Sequence, residues 1–339
     1  MAPERYAIVR FSSLGDVVLI TAAASYLKAQ RPSAKLSVVT KAAFAPLLQG
    51  HPAIDEVLVL EQFAGLGALA WALRRQGVTA ILDLHANMRS RALGLLSGLP
   101  VTRWQAGTLD RRLRVRFKSW QRPELAPVTQ RYVDAAARLL GQASPALTPL
   151  PTLVVAPEAA AWAEGWLRDE GWQGETLVAV APGAAWASKR TSVDILHDSL
   201  ALLPAGVKVL LVGSPLERGL CDELAAGLPG ALNAAGETEG LQPLLALIGK
   251  AKAFLGHDSG PLHLAEALAI PSTALFGPTV RAFGFFPQGP GHRVFERDLG
   301  CRPCSVHGGE ACPLGHHHCL LQLEPKEIGA HLAQVLRAT

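Results

Sequence analysis

What most constrains the fold of this 339-residue chain is an alternation that runs through it twice, in which short runs rich in β-branched residues are each followed by a longer segment with apolar residues at helical spacing. In the first half, residues 6–11, 36–40, 57–60 and 79–84 read as strands, and residues 17–30, 42–49, 67–76 and 88–97 as helices. In the second half, residues 177–181, 207–212, 253–256 and 272–276 read as strands, and residues 193–203, 215–227, 241–249 and 261–268 as helices. Short, nearly continuous apolar strands separated by helices imply a parallel sheet covered on both faces, with ligand-binding groups at the carboxyl ends of the strands. The halves are joined by a Pro- and Ala-rich connection over residues 141–156, whose Pro145, Pro149 and Pro151, with Pro157 just beyond, resist regular structure. The reading is therefore α/β, with two Rossmann-like parallel-sheet domains over residues 1–156 and 157–339. A last helix over residues 325–336 is apolar at helical spacing and carries no mark of the domain it joins.

A composition of 49% hydrophobic and 18% charged residues is that of a globular protein with ample apolar surface to bury. No run is long and apolar enough to span a membrane, and the N-terminus lacks the ordered regions of a signal peptide, so the chain is expected in the cytoplasm. Its net charge of +4 is unevenly spread. Arg103, Arg111, Arg112, Arg114, Arg116, Lys118 and Arg122 face only Asp110 in one segment, which carries +6 and leaves the rest of the chain at −2. Such a run suits an anionic glycolipid or a membrane surface, or a solvated loop; no nucleic-acid-binding module accompanies it, and no nucleic acid is expected as partner.

Several segments sit where chemistry belongs, after a strand. The first loop, Ser12-Ser13-Leu14-Gly15-Asp16, delivers a carboxylate that either caps the next helix or serves as a base. Neither G-x-G-x-x-G after this strand nor a P-loop motif anywhere is present, which removes the support for a dehydrogenase or a P-loop ATPase. His257-Asp258-Ser259-Gly260-Pro261-Leu262-His263 opens a helix, with Pro261 suited to its first position. Amide groups at such a start suit a diphosphate, and the dipole there disfavours a second proton on His263; capping alone would also account for the segment. Pro182 to Arg190 carries adjacent cations, Lys189 and Arg190, at a strand end, either a phosphate counter-charge or a solvated pair. Gly213-Ser214-Pro215-Leu216-Glu217 offers a carboxylate for ribose hydroxyls or an ordinary first-turn acid.

Taken in this order, these segments, with Phe276-Gly277-Pro278-Thr279, resemble the family 9 glycosyltransferases, the ADP-heptose:lipopolysaccharide heptosyltransferases. The resemblance spans nearly the whole chain. It implies a GT-B architecture, two facing Rossmann-like domains with the acceptor bound mainly by the first and an ADP-sugar donor mainly by the second. It also implies a metal-independent inverting displacement, with no cofactor for catalysis, in which the domains close on the substrates. By the same resemblance Asp16 matches the base and Lys189 a donor-phosphate cation. Glu217 matches a ribose contact, Asp258 a donor-sugar contact, and Ser259, Gly260 and His263 the phosphate-binding helix start, with Gly183 on the donor side. Arg190-Thr191-Ser192 departs from the family's usual aromatic-proline continuation. Leu82 to Ser90 resembles the acceptor-side strand end, which places Ser13, His85, Asn87 and Arg89 toward the acceptor. Arg111, Arg112 and Arg114 of the basic run join them, because the family's acceptor is an anionic, lipid-linked sugar. Peripheral, electrostatic contact with the inner membrane follows.

Four of the five cysteines gather as Cys301-x2-Cys304-x7-Cys312-x6-Cys319, a spacing that can close a structural zinc or iron site or remain as reduced thiols. Heptose transfer to the lipopolysaccharide inner core leads the functional readings. The others are the same chemistry on another acceptor, such as a protein hydroxyl, or with another nucleotide-sugar, and a non-catalytic nucleotide- or lipid-binding relative.

Overall fold

The computed structural model describes residues 4–118 and 123–338. Arg122, the last cation of the basic run, lies outside the described residues. The chain forms two compact units, Met1–Ala106 with Ala126–Val154, and Gly107–Leu125 with Val155–Thr339. Each unit is built on one parallel sheet, and together they constitute an α/β chain with two Rossmann-like domains.

In the first unit the elements run β1 (Arg5–Val9), α1 (Leu14–Gln30), β2 (Lys35–Thr40), α2 (Ala45–Leu48), β3 (Glu56–Val59), α3 (Leu66–Arg75), β4 (Ala80–Asp83), α4 (Met88–Ser97) and β5 (Val101–Arg103). The next helix, α5 (Thr108–Arg116), packs with the second unit, and α6 (Val128–Leu139) returns to the first. The sheet order is β3-β2-β1-β4-β5, with Tyr6 opposite both Leu36 and Ala80. β1 is therefore central and buried after its first residue, which is why it is apolar on both faces. The winding reverses direction between β1 and β4, so the loops after these two strands splay apart and leave a crevice at their carboxyl ends.

The second unit continues with α7 (Pro157–Asp169), β6 (Thr176–Ala181), α8 (Val193–Leu200), β7 (Val207–Leu211), α9 (Arg218–Ala226), β8 (Leu232–Asn233) and α10 (Leu241–Gly249). After these come β9 (Ala253–His257), α11 (Gly260–Ala267), β10 (Ser272–Phe276), β11 (Arg293–Glu296), α12 (His318–Leu321) and α13 (Pro325–Ala338). Its order, β11-β10-β9-β6-β7-β8, reverses between β6 and β9, the two strands whose following loops carry Lys189 and Asp258. The terminal helix α13 joins this unit: its Ile328, Leu332 and Val335 pack in one core with Leu196 and Leu200 of α8. Gly329 is required at that crossing, because a Cβ there would lie 2.5 Å from the Ser199 carbonyl oxygen. Among the described residues no helix is long and apolar enough to cross a membrane.

Candidate functional site

In the first unit the site is built on the end of β1. Ser13 is the N-cap of α1 and Asp16 its N3 residue, so the carboxylate does not cap by itself but accepts from the Ser13 Oγ–H at 2.8 Å and, less closely, from its N–H at 3.4 Å. Tyr132 of α6 donates its hydroxyl to the other oxygen, Oδ1, at 3.0 Å, and Arg10 closes an ion pair on Oδ2. Burial alone would raise the Asp16 carboxyl, but the Arg10 guanidinium and the hydrogen bonds from Ser13 and Tyr132 outweigh it and hold the group below the ordinary carboxylate range. Arg10 is itself fixed by donating to the Leu84 carbonyl at 2.6 Å and by lying about 6 Å from the rings of Trp104 and Tyr132. Burial, foremost, with the neighbouring Asp16 carboxylate adding to it, pushes the Tyr132 phenol well above its usual value, so Tyr132 stays a donor.

Arg10 and Tyr132 are two residues around Asp16 that the sequence reading misses. A charge ending an otherwise apolar strand marks Arg10, but Tyr132 stands 116 residues from its partner in a segment read as no element.

The loop after β4 is organised by the buried Asp83, whose Oδ1 accepts from the amides of His85 and Ala86 and whose Oδ2 accepts from Ser90 and Arg103. Asn87 caps α4 by accepting from the Ser90 amide at 2.9 Å. His85 packs edge-on to Phe11, and its Nδ1 is buried without a hydrogen-bond partner. Burial and then the Arg10 charge push its imidazole down to about 4, so it is neutral near pH 7. Ser12, Lys41, His85, Asn87, Met88 and Arg89 line an open pocket of about 410 Å³. Of the residues expected on the acceptor side, His85, Asn87 and Arg89 fall together here, with Lys41 added, while Ser13 does not line this pocket and Arg111, Arg112 and Arg114 belong to the second unit.

In the second unit Lys189 stands at the end of a single helical turn after β6 and donates to the Asp258 carboxylate at 2.7 Å and to the Asp258 carbonyl at 3.0 Å. Arg190 turns away and donates to the Ala184 carbonyl at 2.9 and 2.6 Å. The adjacent cations are therefore not a solvated pair. Asp258 also accepts from Thr279 at 2.6 Å; burial would raise it, yet Lys189 and Thr279 hold it below the usual carboxylate range. Ser259 is the N-cap of α11, Gly260 takes the first helical position and Pro261 the second, one place later than the sequence suggests. The Ser259 Oγ is buried without a partner at this helix start. His263 is buried and faces Glu266, with Nδ1 and Oε2 3.0 Å apart.

Glu217 closes a capping box with Ser214, accepting from its N–H at 2.7 Å and its Oγ–H at 2.8 Å. Its carboxylate reaches over Gly183, where an added Cβ would fall 1.9 Å from Oε1 and 2.3 Å from Cδ. Gly183→Ala is therefore expected to displace the Glu217 carboxylate and undo the capping box, lowering stability by about 1 kcal/mol and weakening nucleotide binding. Thermal unfolding and ADP titration check both effects, and an unchanged midpoint with unchanged affinity would refute them.

The basic run departs furthest from expectation. Residues 107–125 pack with the second unit, whereas their place in the sequence put them in the first. They include a helix rather than only a loop, and much of the charge is used internally. Arg103 pairs with Asp83, Arg114 with Asp110 and the Pro123 carbonyl, and Arg111 is buried over the Phe285 ring at 5.5 Å. Arg112 and Arg116 are exposed.

Cys301, Cys304, Cys312 and Cys319 lie near enough to feel one another's charge, and burial is the main cause raising the Cys304 thiol and pushing that of Cys319 to about 11. All are free thiols. Among the described residues no three His, Cys, Asp or Glu side chains gather as a metal ion requires.

The sequence pattern of glycosyltransferase family 9 (heptosyltransferase) matches residues 66–313. The chain is 27% identical to the lipooligosaccharide heptosyltransferase 2 of Campylobacter jejuni, an alignment that covers 46% of this chain and only about half, 50%, of that protein. It is 26% identical to the lipopolysaccharide heptosyltransferase 2 of Salmonella typhimurium over 96% of each chain. In fold it is similar to the ADP-heptose lps heptosyltransferase II of E. coli, with a TM-score of 0.76 at 22% identity over 98% of this chain and 99% of that one. The ordered loops at the two sheet reversals, and a match across most of the chain, place this protein in glycosyltransferase family 9, the heptosyltransferase family.

Proposed function

We propose that the protein is an inverting glycosyltransferase that moves heptose from ADP-heptose to an anionic, lipid-linked sugar of the lipopolysaccharide inner core. The observation that carries this reading, in a chain of family 9, is the Asp16 carboxylate, fixed on both oxygens and kept ionised at the carboxyl edge of the first sheet. In the proposed reaction Asp16 takes the proton from an acceptor hydroxyl as that oxygen bonds to the anomeric carbon of heptose. The bond from that carbon to ADP breaks on the opposite face, and ADP departs with the electron pair. The second unit meets that charge with Lys189 and with the amide groups and the Ser259 Oγ at the start of α11. Asp258 anchors Lys189 and contacts the donor sugar, Glu217 receives ribose hydroxyls, and Gly183 lets Glu217 approach.

On the acceptor side, Ser13, Asn87 and Arg89 border the substrate, and the unprotonated His85 presents its ring to a sugar hydroxyl. Among the three arginines of α5, Arg112 has the exposed side chain, while Arg111 and Arg114 hold the helix that presents it. No cofactor takes part in the displacement. The protein works in the cytoplasm in peripheral contact with the inner membrane.

Calorimetric titration with ADP and ADP-heptose, against UDP- and GDP-sugars, tests the donor, and mass-spectrometric analysis of the acceptor after incubation with ADP-heptose tests the transfer. Preferential binding of ADP-heptose and a heptose-sized mass gain on the inner-core acceptor are expected. Preference for another nucleotide-sugar, or heptose appearing only on protein, would overturn the reading.

A further inference from the structure

Helices α3 and α4 lie together on one side of the first sheet, and Leu69 and Leu73 of α3 and Leu93 of α4 pack against Val9 and Ile81 beneath them. Their outer faces are unusual for a solvated layer. Trp71 is 62% exposed, Met88 88%, Leu95 82% and Leu96 55%. Beside them Arg74, Arg75, Arg89 and Arg91 are exposed, and none of the four is ion-paired among the described residues.

Across residues 66–97 the only acidic residue is Asp83, which is fully buried. A helix layer facing water ordinarily carries both signs of charge and few large apolar side chains. This one carries cations and apolar groups alone. Trp71, Arg74 and Arg75 share a face of α3, and Met88, Arg91 and Leu95 share a face of α4, at helical spacing. The Arg75 guanidinium lies 5.1 Å from the Trp71 ring centroid.

We propose that the outer face of α3 and α4 is a docking surface for an anionic phospholipid bilayer. Charge complementarity selects this occupant, because arginines without acidic neighbours attract a negative surface while Trp71 and the leucines enter the headgroup boundary. The basic run between Arg103 and Lys118 is the weaker candidate for that contact, since Arg103, Arg111 and Arg114 are engaged within the protein. Met88 and Arg89 also line the first-unit pocket, which sets the bilayer beside the entry for a lipid-linked substrate. That last step rests on the acceptor reading above; the docking surface does not.

Co-sedimentation of the full chain with phosphatidylcholine vesicles, with and without phosphatidylglycerol, tests the proposal. Vesicles without acceptor let docking and transfer fail separately. Binding is expected only when phosphatidylglycerol is present, to fall as salt rises, and to drop roughly a hundredfold in Arg74→Gln/Arg75→Gln/Arg91→Gln. Trp71→Ser/Leu95→Ser/Leu96→Ser should weaken the binding that persists at high salt, whereas Arg112→Gln/Arg116→Gln should bind as the unsubstituted protein does. Transfer to a soluble, deacylated acceptor should be unchanged in the two α3–α4 variants. Equal binding to both vesicle types, or wild-type binding by the α3–α4 variants, would overturn the proposal. So would substitutions that change the sedimentation coefficient and leave vesicle binding intact, because the face would then join two copies of the chain.

Discussion

Asp16→Asn is expected to lower heptose transfer by about a thousandfold while ADP-heptose affinity, measured by calorimetry, stays within a few fold. The substitution keeps the size of the side chain and can keep the hydrogen bonds to Ser13 and Tyr132, but it removes the group that accepts the hydroxyl proton. The donor contacts are on the second unit, so their persistence separates a chemical defect from a folding one. Arg10 loses its counter-ion in this variant and stays buried, which costs stability on the order of 3–5 kcal/mol. Turnover must therefore be read well below the variant's unfolding midpoint. Transfer at the wild-type rate would remove Asp16 from the mechanism and leave the fold untouched.

Arg10→Met should have the second largest effect, and its pH dependence identifies the cause. Methionine preserves length and apolar contact with Trp104 and Tyr132 but leaves the Asp16 carboxylate buried without a cation, a loss of about 3–5 kcal/mol near neutral pH. In the unsubstituted protein the folded-state pKa of Asp16 is depressed, so this group contributes stability above its unfolded value of about 3.9, and the contribution is lost as pH falls through the lower folded value. Without Arg10, burial dominates and the folded-state pKa rises above the unfolded one. The folded variant then holds the proton more tightly, and its stability falls as pH increases above about 4. The acid limb of its pH–rate profile should move upward for the same reason, and Arg10→Lys should restore much of both. A uniform loss of activity with an unmoved limb would make Arg10 a packing residue only.

How far the sequence could be read depended on the range of the interactions concerned. Local periodicity located the central strands of both sheets to within a residue or two and the helix Met88–Ser97 to the residue, because each is long enough to repeat its pattern. The edge strands Val101–Arg103 and Leu232–Asn233 have too few residues to show any period and were not seen. Pro157 was read as part of an irregular connection, yet it occupies the first position of α7, where a missing amide costs nothing and a fixed φ favours the turn. The loops carrying Asp16, Lys189 and Asp258 could be found because each directly follows a strand of a parallel sheet. Their partners could not. Asp16 meets Tyr132, and Lys189 meets Asp258, across long sequence separations that only the packed sheets bring together. The fate of the basic run was hidden likewise, since nothing near Arg111 announces that its guanidinium will lie over Phe285.

The threading of residues 107–125 bears on how the chain is made. This segment is translated between two parts of the first unit, but what it packs against is translated much later: Leu125 donates to the Ala282 carbonyl at 3.1 Å, Lys118 to the Pro303 carbonyl, and Arg111 rests on Phe285. As the chain leaves the ribosome the first sheet can assemble around β1 while its own insertion waits, basic and uncovered, for the second sheet to arrive. Synthesis order thus lets the first unit, closed by α6, assemble before the second can be completed, and neither unit can be cut from the gene as a single contiguous piece.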